Sequence, residues 1–456
     1  MDPFASPHNL DRELRSLLVQ ASSNLCDWFA ETGKQNPIPR RFELPEAYPA
    51  QEGVSNDVLL KELQLLMNCS YRPSHPGSLA HLDPPPLSAS IVGELICAGL
   101  NNNLLAEELS PSLSSLEKEL CRWFCRKLGL GDSSGGVAAS GGSLSNLMAL
   151  VMARNIAGLD SDPTAVFFAS DDCHVSLSKA LRVMGLKDES LQKIPIDRNG
   201  ELDISYLYSY LKKIESEGKK CFAVVATAGT TVRGAVDPLP SIAEFCQKEN
   251  IWLHIDGAIG GMFGLSKSTS EIVHGVSSAD SITINPQKLL GIPKTSSLLL
   301  VADKYNLFST FSTGLPYAEP MSEDNFHGGE LGIQGTKSAE SLKLWLGLRH
   351  LGEQGIEKIL SESIERKRYL ESIIDMSKFE LISGPLHILA ITPKGYTCSQ
   401  ATDWSIRTRT SLLASNFMLS RPMYRNRHYL KAVMGNPNTE LDDLKKLATL
   451  LNQSII

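Results

Sequence analysis

Residues 251–261 read IWLHIDGAIGG, and residues 281–291 read SITINPQKLLG. Each opens with a short apolar run that lacks the polar alternation of a half-exposed strand and stops at Asp256 or Asn285. Such runs read as strands buried on both faces, the signature of a parallel sheet covered by helices. TAVFFAS (164–170), CFAVVATAG (221–229) and SSLLLVAD (296–303) have the same character. Helical patterns such as SPSLSSLEKELCRWFCRKLG (110–129) lie between or before them, so the chain is expected to be an α/β protein with a mostly parallel central sheet. Asp256 and Lys288 sit one strand–helix–strand step apart and should surface at the same sheet edge, where open α/β sheets bind ligands.

Outward from this core, LDRELRSLLVQASSNLCDWFAET (10–32) and residues 55–67 are helical in pattern, separated by proline-rich stretches. Residues 1–85 are expected to form a helical segment with little core of its own that packs on another subunit. Residues 86–350 should form the large α/β domain, and 351–456 a smaller α+β domain containing FELISG and LHILAITP. The whole is 456 residues with a net charge of −7 and a pI near 5.9, which argues against a general nucleic-acid binder. No stretch is apolar and long enough to span a bilayer. The amino terminus lacks the basic-then-apolar order of a secretory signal. The nine cysteines show no CxxC pair and no metal-like spacing with histidine, which suggests reduced thiols, a cytoplasmic location and no metal site.

Four strand ends carry candidate chemistry. In AASGGSLSNLMALVMARN (138–155), Gly141, Gly142 and Ser143 precede a helix, a cradle for phosphate or simply a capped turn. VVATAGTTVRGAVDPL (224–239) ends a strand in small and hydroxyl residues, which by itself reads as an ordinary polar end. Asp256 closes a buried run and needs a cationic or donor partner, in a salt bridge or in a site. Lys288, read alone, is a surface lysine past a strand. Together, a phosphate cradle, a buried carboxylate and a lysine at one edge fit pyridoxal 5'-phosphate. Its ring nitrogen needs an acid, and its aldehyde condenses with an amine whose basicity burial lowers.

The succession SGGSLSNLMAL, CHVSLSKA, ATAGTTVRGAVDPL, HIDGA, NPQK, LKLWLGLR and NPNT resembles the group II pyridoxal-phosphate amino-acid decarboxylases, over roughly residues 50–445. These include the aromatic amino-acid, glutamate and diaminobutyrate decarboxylases. The resemblance implies a fold like that of the aspartate aminotransferases (fold type I), a homodimer with active sites at the interface, and α-decarboxylation of an L-amino acid to an amine and CO2. It implies that Lys288 carries the Schiff base, that Asp256 pairs with the ring nitrogen, and that His174 stacks on the ring and assists protonation. Gly142, Ser143, Ser281 and Asn285 should hold the phosphate, with Gln287 beside it. Thr231 and Ala258 should line the ring pocket. His81, Asp83, Gly335 and Lys431 fall at substrate positions.

Departures from the family pattern bear on substrate and outcome. Gln287 stands where histidine usually precedes the lysine, Leu289 where tryptophan is common, and Lys431 where an arginine often grips a carboxylate. The loop FSTGLPYAEPMSEDNFHGGELG (311–332) should carry the protonating tyrosine, and the alignment offers Tyr317, Phe326 or His327. Without that acid, an aldehyde synthase or carbon–carbon lyase is the alternative, and a non-catalytic cofactor-binding relative is a third. AHLDPPP (80–86) disfavours an aromatic substrate. Asp83 there is either a turn residue or a receptor for the distal ammonium of a diamino acid such as 2,4-diaminobutyrate, which is preferred over an acidic substrate held by the basic cluster RPMYRNRHYLK (421–431).

Overall fold

A computed structural model describes residues 4–39, 42–316, 318 and 326–455. The helices are α1 (Arg12–Glu31), α2 (Asn56–Asn68), α3 (Ser88–Leu100), α4 (Pro111–Lys127), α5 (Gly142–Ile156), α6 (Ser176–Val183), α7 (Leu207–Ser216), α8 (Leu239–Glu249), α9 (Tyr305–Phe311), α10 (Glu340–Ile373), α11 (Cys398–Ala414) and α12 (Leu441–Gln453). Seven strands make the main sheet: β1 (Gly135–Ala139), β2 (Ala165–Ser170), β3 (Leu191–Ile194), β4 (Lys220–Thr227), β5 (Trp252–Gly257), β6 (Ser281–Ile284) and β7 (Ser297–Val301).

Their order is β1-β7-β6-β5-β4-β2-β3. All neighbours from β6 to β3 pair in parallel, while β7 runs antiparallel to both β6 and β1. Every residue of β2, β6 and β7 is buried, as the unbroken apolar runs require when helices cover both faces. The register places Thr227, Asp256 and Thr283 side by side at the carboxyl edge of β4, β5 and β6. Because β1 runs in the same sense as β6, its carboxyl end delivers Ser140–Gly142 to that same edge.

β1 (GGVAA) was not read as a strand in the sequence, because it carries no bulky side chain beyond Val137. Packing explains its composition. A Cβ at Gly136 would lie 2.5 Å from the Leu299 carbonyl of β7.

The carboxyl-terminal sheet comprises β8 (Phe379–Ser383), β9 (Ile388–Pro393) and β12 (Leu430–Val433), with a hairpin of β10 (Met423–Tyr424) and β11 (Arg427–His428) before β12. Trp404, Phe379, Leu444 and Leu447 form its core. Leu79 belongs to that core too. Its N–H donates to the Met418 carbonyl (3.1 Å) and its own carbonyl accepts from Val433 (2.8 Å). The Asn436 amide donates to the His75 carbonyl (2.8 Å).

The expected unit 1–85 therefore needs correction: around residues 73–79 the chain is threaded into the carboxyl-terminal sheet, although its prolines preclude a helix or a central strand. The expected break at 350 falls inside α10, which changes direction at Gly352, where φ is +61°. By contrast, α1 and α2 bury almost nothing. Leu14, Leu18 and Val19 of α1, Leu59, Leu63 and Leu66 of α2, and Leu95 and Ile96 of α3 are exposed.

Candidate active site

The carboxyl edge of the sheet encloses a cavity of about 300 Å³ lined by Ser140–Ser143, Asn146, Asp172, His174, Thr227, Gly229–Thr231, Asp256, Ala258, Ile259, Asn285, Gln287 and Lys288. That volume is at the small end of the range for small-molecule sites. At one end, α5 begins at Gly142, and Leu144 and Ser145 are the first amides to reach a carbonyl, that of Gly141. The amides of Gly142 and Ser143 therefore face outward at a positive helix terminus, an arrangement suited to phosphate. Gly141 has φ +131°, a region closed to most side chains. A Cβ at Gly142 would press to 3.1 Å from the Asn285 amide. The cradle thus needs its glycines. Ser297 holds Asn285 by donating to Oδ1 at 2.8 Å.

At the centre stands Asp256, only 6% exposed. Its Oδ1 accepts from the Ala258 amide (3.2 Å) and its Oδ2 from the Asn146 side-chain amide (2.9 Å). His174 lines the same cavity, and its Nδ1 lies 2.9 Å from Ser176 Oγ. Burial lowers the His174 pKa below the usual histidine value, opposed by the charge of Asp256. Tyr424, from the carboxyl-terminal hairpin, donates to Asp172 Oδ2 at 2.6 Å, so the small sheet touches the cavity wall.

Lys288 follows β6 in a short 3₁₀ turn that Pro286 opens. Burial lowers its pKa, while the charges of Asp256 and Asp83 oppose the shift. Gln287, in the place of the usual histidine, uses its Oε1 to accept from the Ser296 amide at 2.6 Å and also lines the cavity. Lys431, 9% exposed, donates to the Thr231 carbonyl at 3.0 Å. Its pKa falls to about 8, first through burial and then through the charge of Lys288. His81 is exposed and lies edge-on to Tyr71. Its pKa is lowered by partial burial and then by Lys431. Asp83 is held by Lys294 at 3.2 Å.

Sequence reasoning thus placed Gly142, Ser143, His174, Thr231, Asp256, Ala258, Asn285, Gln287 and Lys288 around one cavity, and the structure brings them together there. Other expected positions lie elsewhere. Ser281 is at the opposite end of β6, fully buried, where it accepts from Trp252 Nε1 and bonds His254 Nδ1, both at 2.9 Å, so it cannot reach a phosphate in the cradle. Gly335 packs near Leu105, Phe326 against Phe308, and His327 Nδ1 accepts from the Glu107 amide. None of the three lines the cavity of its own chain, and neither do His81, Asp83 or Lys431. Tyr317 lies outside the described residues.

Asn146 and Lys294 were missed. Asn146 had a signal, as a helix-disfavouring residue one turn into an apolar helix start. Lys294 had none in its own sequence neighbourhood.

The cradle, the acid and the lysine fit pyridoxal phosphate. Glycines leave room where a Cβ would intrude, amides at a helix start are left without intrahelical partners, and a buried carboxylate and a desolvated amine share one cavity. Comparison with known proteins agrees. Residues 39–391 match the pyridoxal-dependent decarboxylase conserved domain. The chain is 28% identical to the aromatic-L-amino-acid decarboxylase of Bacillus atrophaeus over 95% of its own length and 94% of the relative's. It is 31% identical to the cysteine sulfinic acid decarboxylase of Homo sapiens, over 80% and 75%. The crystal structure of Oryza sativa TDC with PLP and tryptamine superposes with a TM-score of 0.91 at 21% identity, covering 99% of each chain. The chain belongs to the pyridoxal-dependent decarboxylase family. It is a pyridoxal-phosphate-dependent carboxy-lyase with the fold of those enzymes.

Proposed function

We propose that this enzyme removes the α-carboxyl group of an L-amino acid whose side chain carries a negative charge. The observation that carries this reading is the pairing of charges beyond Lys288. Asp83 is engaged by Lys294, whereas Lys431 is buried and meets a backbone carbonyl. A distal ammonium would find Asp83 already neutralised, so the order of preference drawn from the sequence, diamino before acidic, is reversed. The relatives compared above act on aromatic and on sulfinate substrates, so likeness alone does not choose.

Bound pyridoxal phosphate supplies an electron sink for the pair released as CO2 leaves. Gly142, Ser143 and Asn285 would hold its phosphate. Asp256 would supply a negative charge to its ring nitrogen. His174 presents a ring N–H to the cavity, and Lys288 exchanges a proton at Nζ as the substrate enters and the amine departs. Lys431 orients the substrate by charge, without the two-pronged grip of an arginine.

Incubation of the holoenzyme with cysteine sulfinate, aspartate, glutamate, 2,4-diaminobutyrate and aromatic amino acids should give CO2 and amine fastest from an acidic member. Fastest turnover of an aromatic or diamino acid would reject the assignment. Ammonia with peroxide in place of amine would indicate the aldehyde-forming branch, and no turnover of any member would place the substrate outside these classes.

The exposed apolar faces of α1, α2 and α3 support a homodimer with active sites at its interface. An apolar area of that extent is costly in water. Light scattering should return twice the chain mass. The nine free cysteines support a cytoplasmic setting. Among the described residues no helix is long and apolar enough to cross a membrane.

A further inference from the structure

Behind Asp256 lies a buried polar chain that the reaction itself does not use. Asn146 is 1% exposed, and His254 and Ser281 are fully buried. A carboxylate only accepts hydrogen bonds, so Asn146 must turn its NH2 toward Asp256 Oδ2 (2.9 Å), and the same NH2 reaches Ser176 Oγ (3.0 Å). Its carbonyl then faces His254 Nε2 (3.1 Å), which must donate. Burial pushes the His254 pKa down to about 4, so the ring is neutral and its Nδ1 is an acceptor. That nitrogen accepts from Ser281 O–H (2.9 Å), and Ser281 Oγ in turn accepts from Trp252 Nε1, which can only donate (2.9 Å). Every bond in the chain points toward Asp256.

A second branch leaves from Ser176. Its Oγ is taken by the Asn146 amide, so its hydroxyl proton is free for His174 Nδ1 (2.9 Å). The Ser176 backbone N–H points at the same nitrogen (3.2 Å). His174 therefore carries its proton on Nε2. One side-chain amide, through one NH2 group, serves both the acid and the histidine that face the cofactor.

We propose that Asn146 is a positioning residue that holds the charge on Asp256 and the tautomer of His174 in register, with neutral His254 fixing the direction of the Asn146 amide. The proposal rests on the reading of Asp256 as partner of the ring nitrogen. Removing the donor to a buried carboxylate draws a proton toward it. In Asn146→Leu the proton shared with the cofactor moves from ring nitrogen to Asp256.

The test uses the holoenzyme reconstituted with pyridoxal phosphate labelled with ¹⁵N in the ring, together with ¹⁵N-histidine labelling of the protein. In the unsubstituted enzyme the ring nitrogen should be protonated, and His174 and His254 should both show the Nε2–H tautomer. Asn146→Leu should move the ring-nitrogen signal toward its unprotonated position, mix the His174 tautomers and weaken cofactor binding about tenfold. A ring-nitrogen signal and His174 tautomer unchanged in Asn146→Leu would overturn the proposal, whatever happened to the melting temperature. An unprotonated ring nitrogen in the unsubstituted enzyme would instead remove the assignment of Asp256, and the proposal with it.

His254 supplies an independent pair if Asn146→Leu does not fold. His254→Gln keeps a donor for the Asn146 carbonyl and should retain the protonated signal. His254→Leu should lose it. Identical signals from the two would overturn the proposal.

Discussion

The wall of the cavity and a second, charged wall beside it are built on different principles. The wall that holds Asp256, His174 and the phosphate cradle comes from the carboxyl ends of β1, β2, β4, β5 and β6 of one sheet and from the start of α5, and each polar atom of its central acid has a directed donor. The second wall lies near Lys288 but outside the cavity lining: Asp83 pairs with Lys294, and Lys431 donates to the Thr231 carbonyl. The first wall is fixed by covering helices and register. The second is fixed by a balance of charges that one substitution can tip.

Breaking the first wall should cost most. Lys288→Ala removes the amine that exchanges with substrate. Steady-state turnover should fall by roughly 10³-fold or more, and borohydride should no longer link the cofactor to the protein. Asp256→Asn keeps the shape and removes the charge. The expected loss is about 10²–10³ in kcat, with less change in KM, because the charge acts on the transition state.

Substitutions on the second wall should act mainly on KM. Lys431→Met should raise KM for an acidic substrate by about 10–100-fold and leave kcat for a small neutral amino acid nearly unchanged, as loss of a charge-assisted hydrogen bond implies. The unsubstituted enzyme makes a matching pH prediction. Lys431 is protonated below about pH 8 and neutral above it, so KM for the acidic substrate should climb as pH rises through 8. A KM that stays flat from pH 7 to 9 would detach Lys431 from substrate. The smallest effect is expected at Lys294. Lys294→Met frees Asp83 and should shift the ratio of diaminobutyrate to aspartate turnover upward by a few-fold, a change typical of a partly exposed pair.

Much of the first wall was legible because it is local. Asp256 ends β5, Lys288 follows β6, and Gly142 starts α5, so strand ends and helix starts place them without knowledge of the rest. Ser281 was misplaced for a related reason. It belongs to the same short strand as Asn285, but a four-residue strand separates its two ends by on the order of 10 Å, and only one end meets the cavity. β1 was missed because close backbone approach selects glycine and alanine, which carry no strand signature. The second wall was not legible. Asp83 looked free beside its prolines, and nothing near Lys294 in sequence names Asp83 as its partner.

By itself the chain determined an α/β sheet, a glycine-rich helix start, and an acid and an amine at one edge. Those properties follow from periodicity, glycine placement and strand length, which act over a few residues. Only the tertiary structure decided where residues 73–79 run, which cation takes Asp83, and which way the hydrogen bonds point behind Asp256. Those depend on contacts between different elements, many of them a hundred residues or more apart in sequence, and a buried charge or donor acquires its partner only when the chain has closed around it.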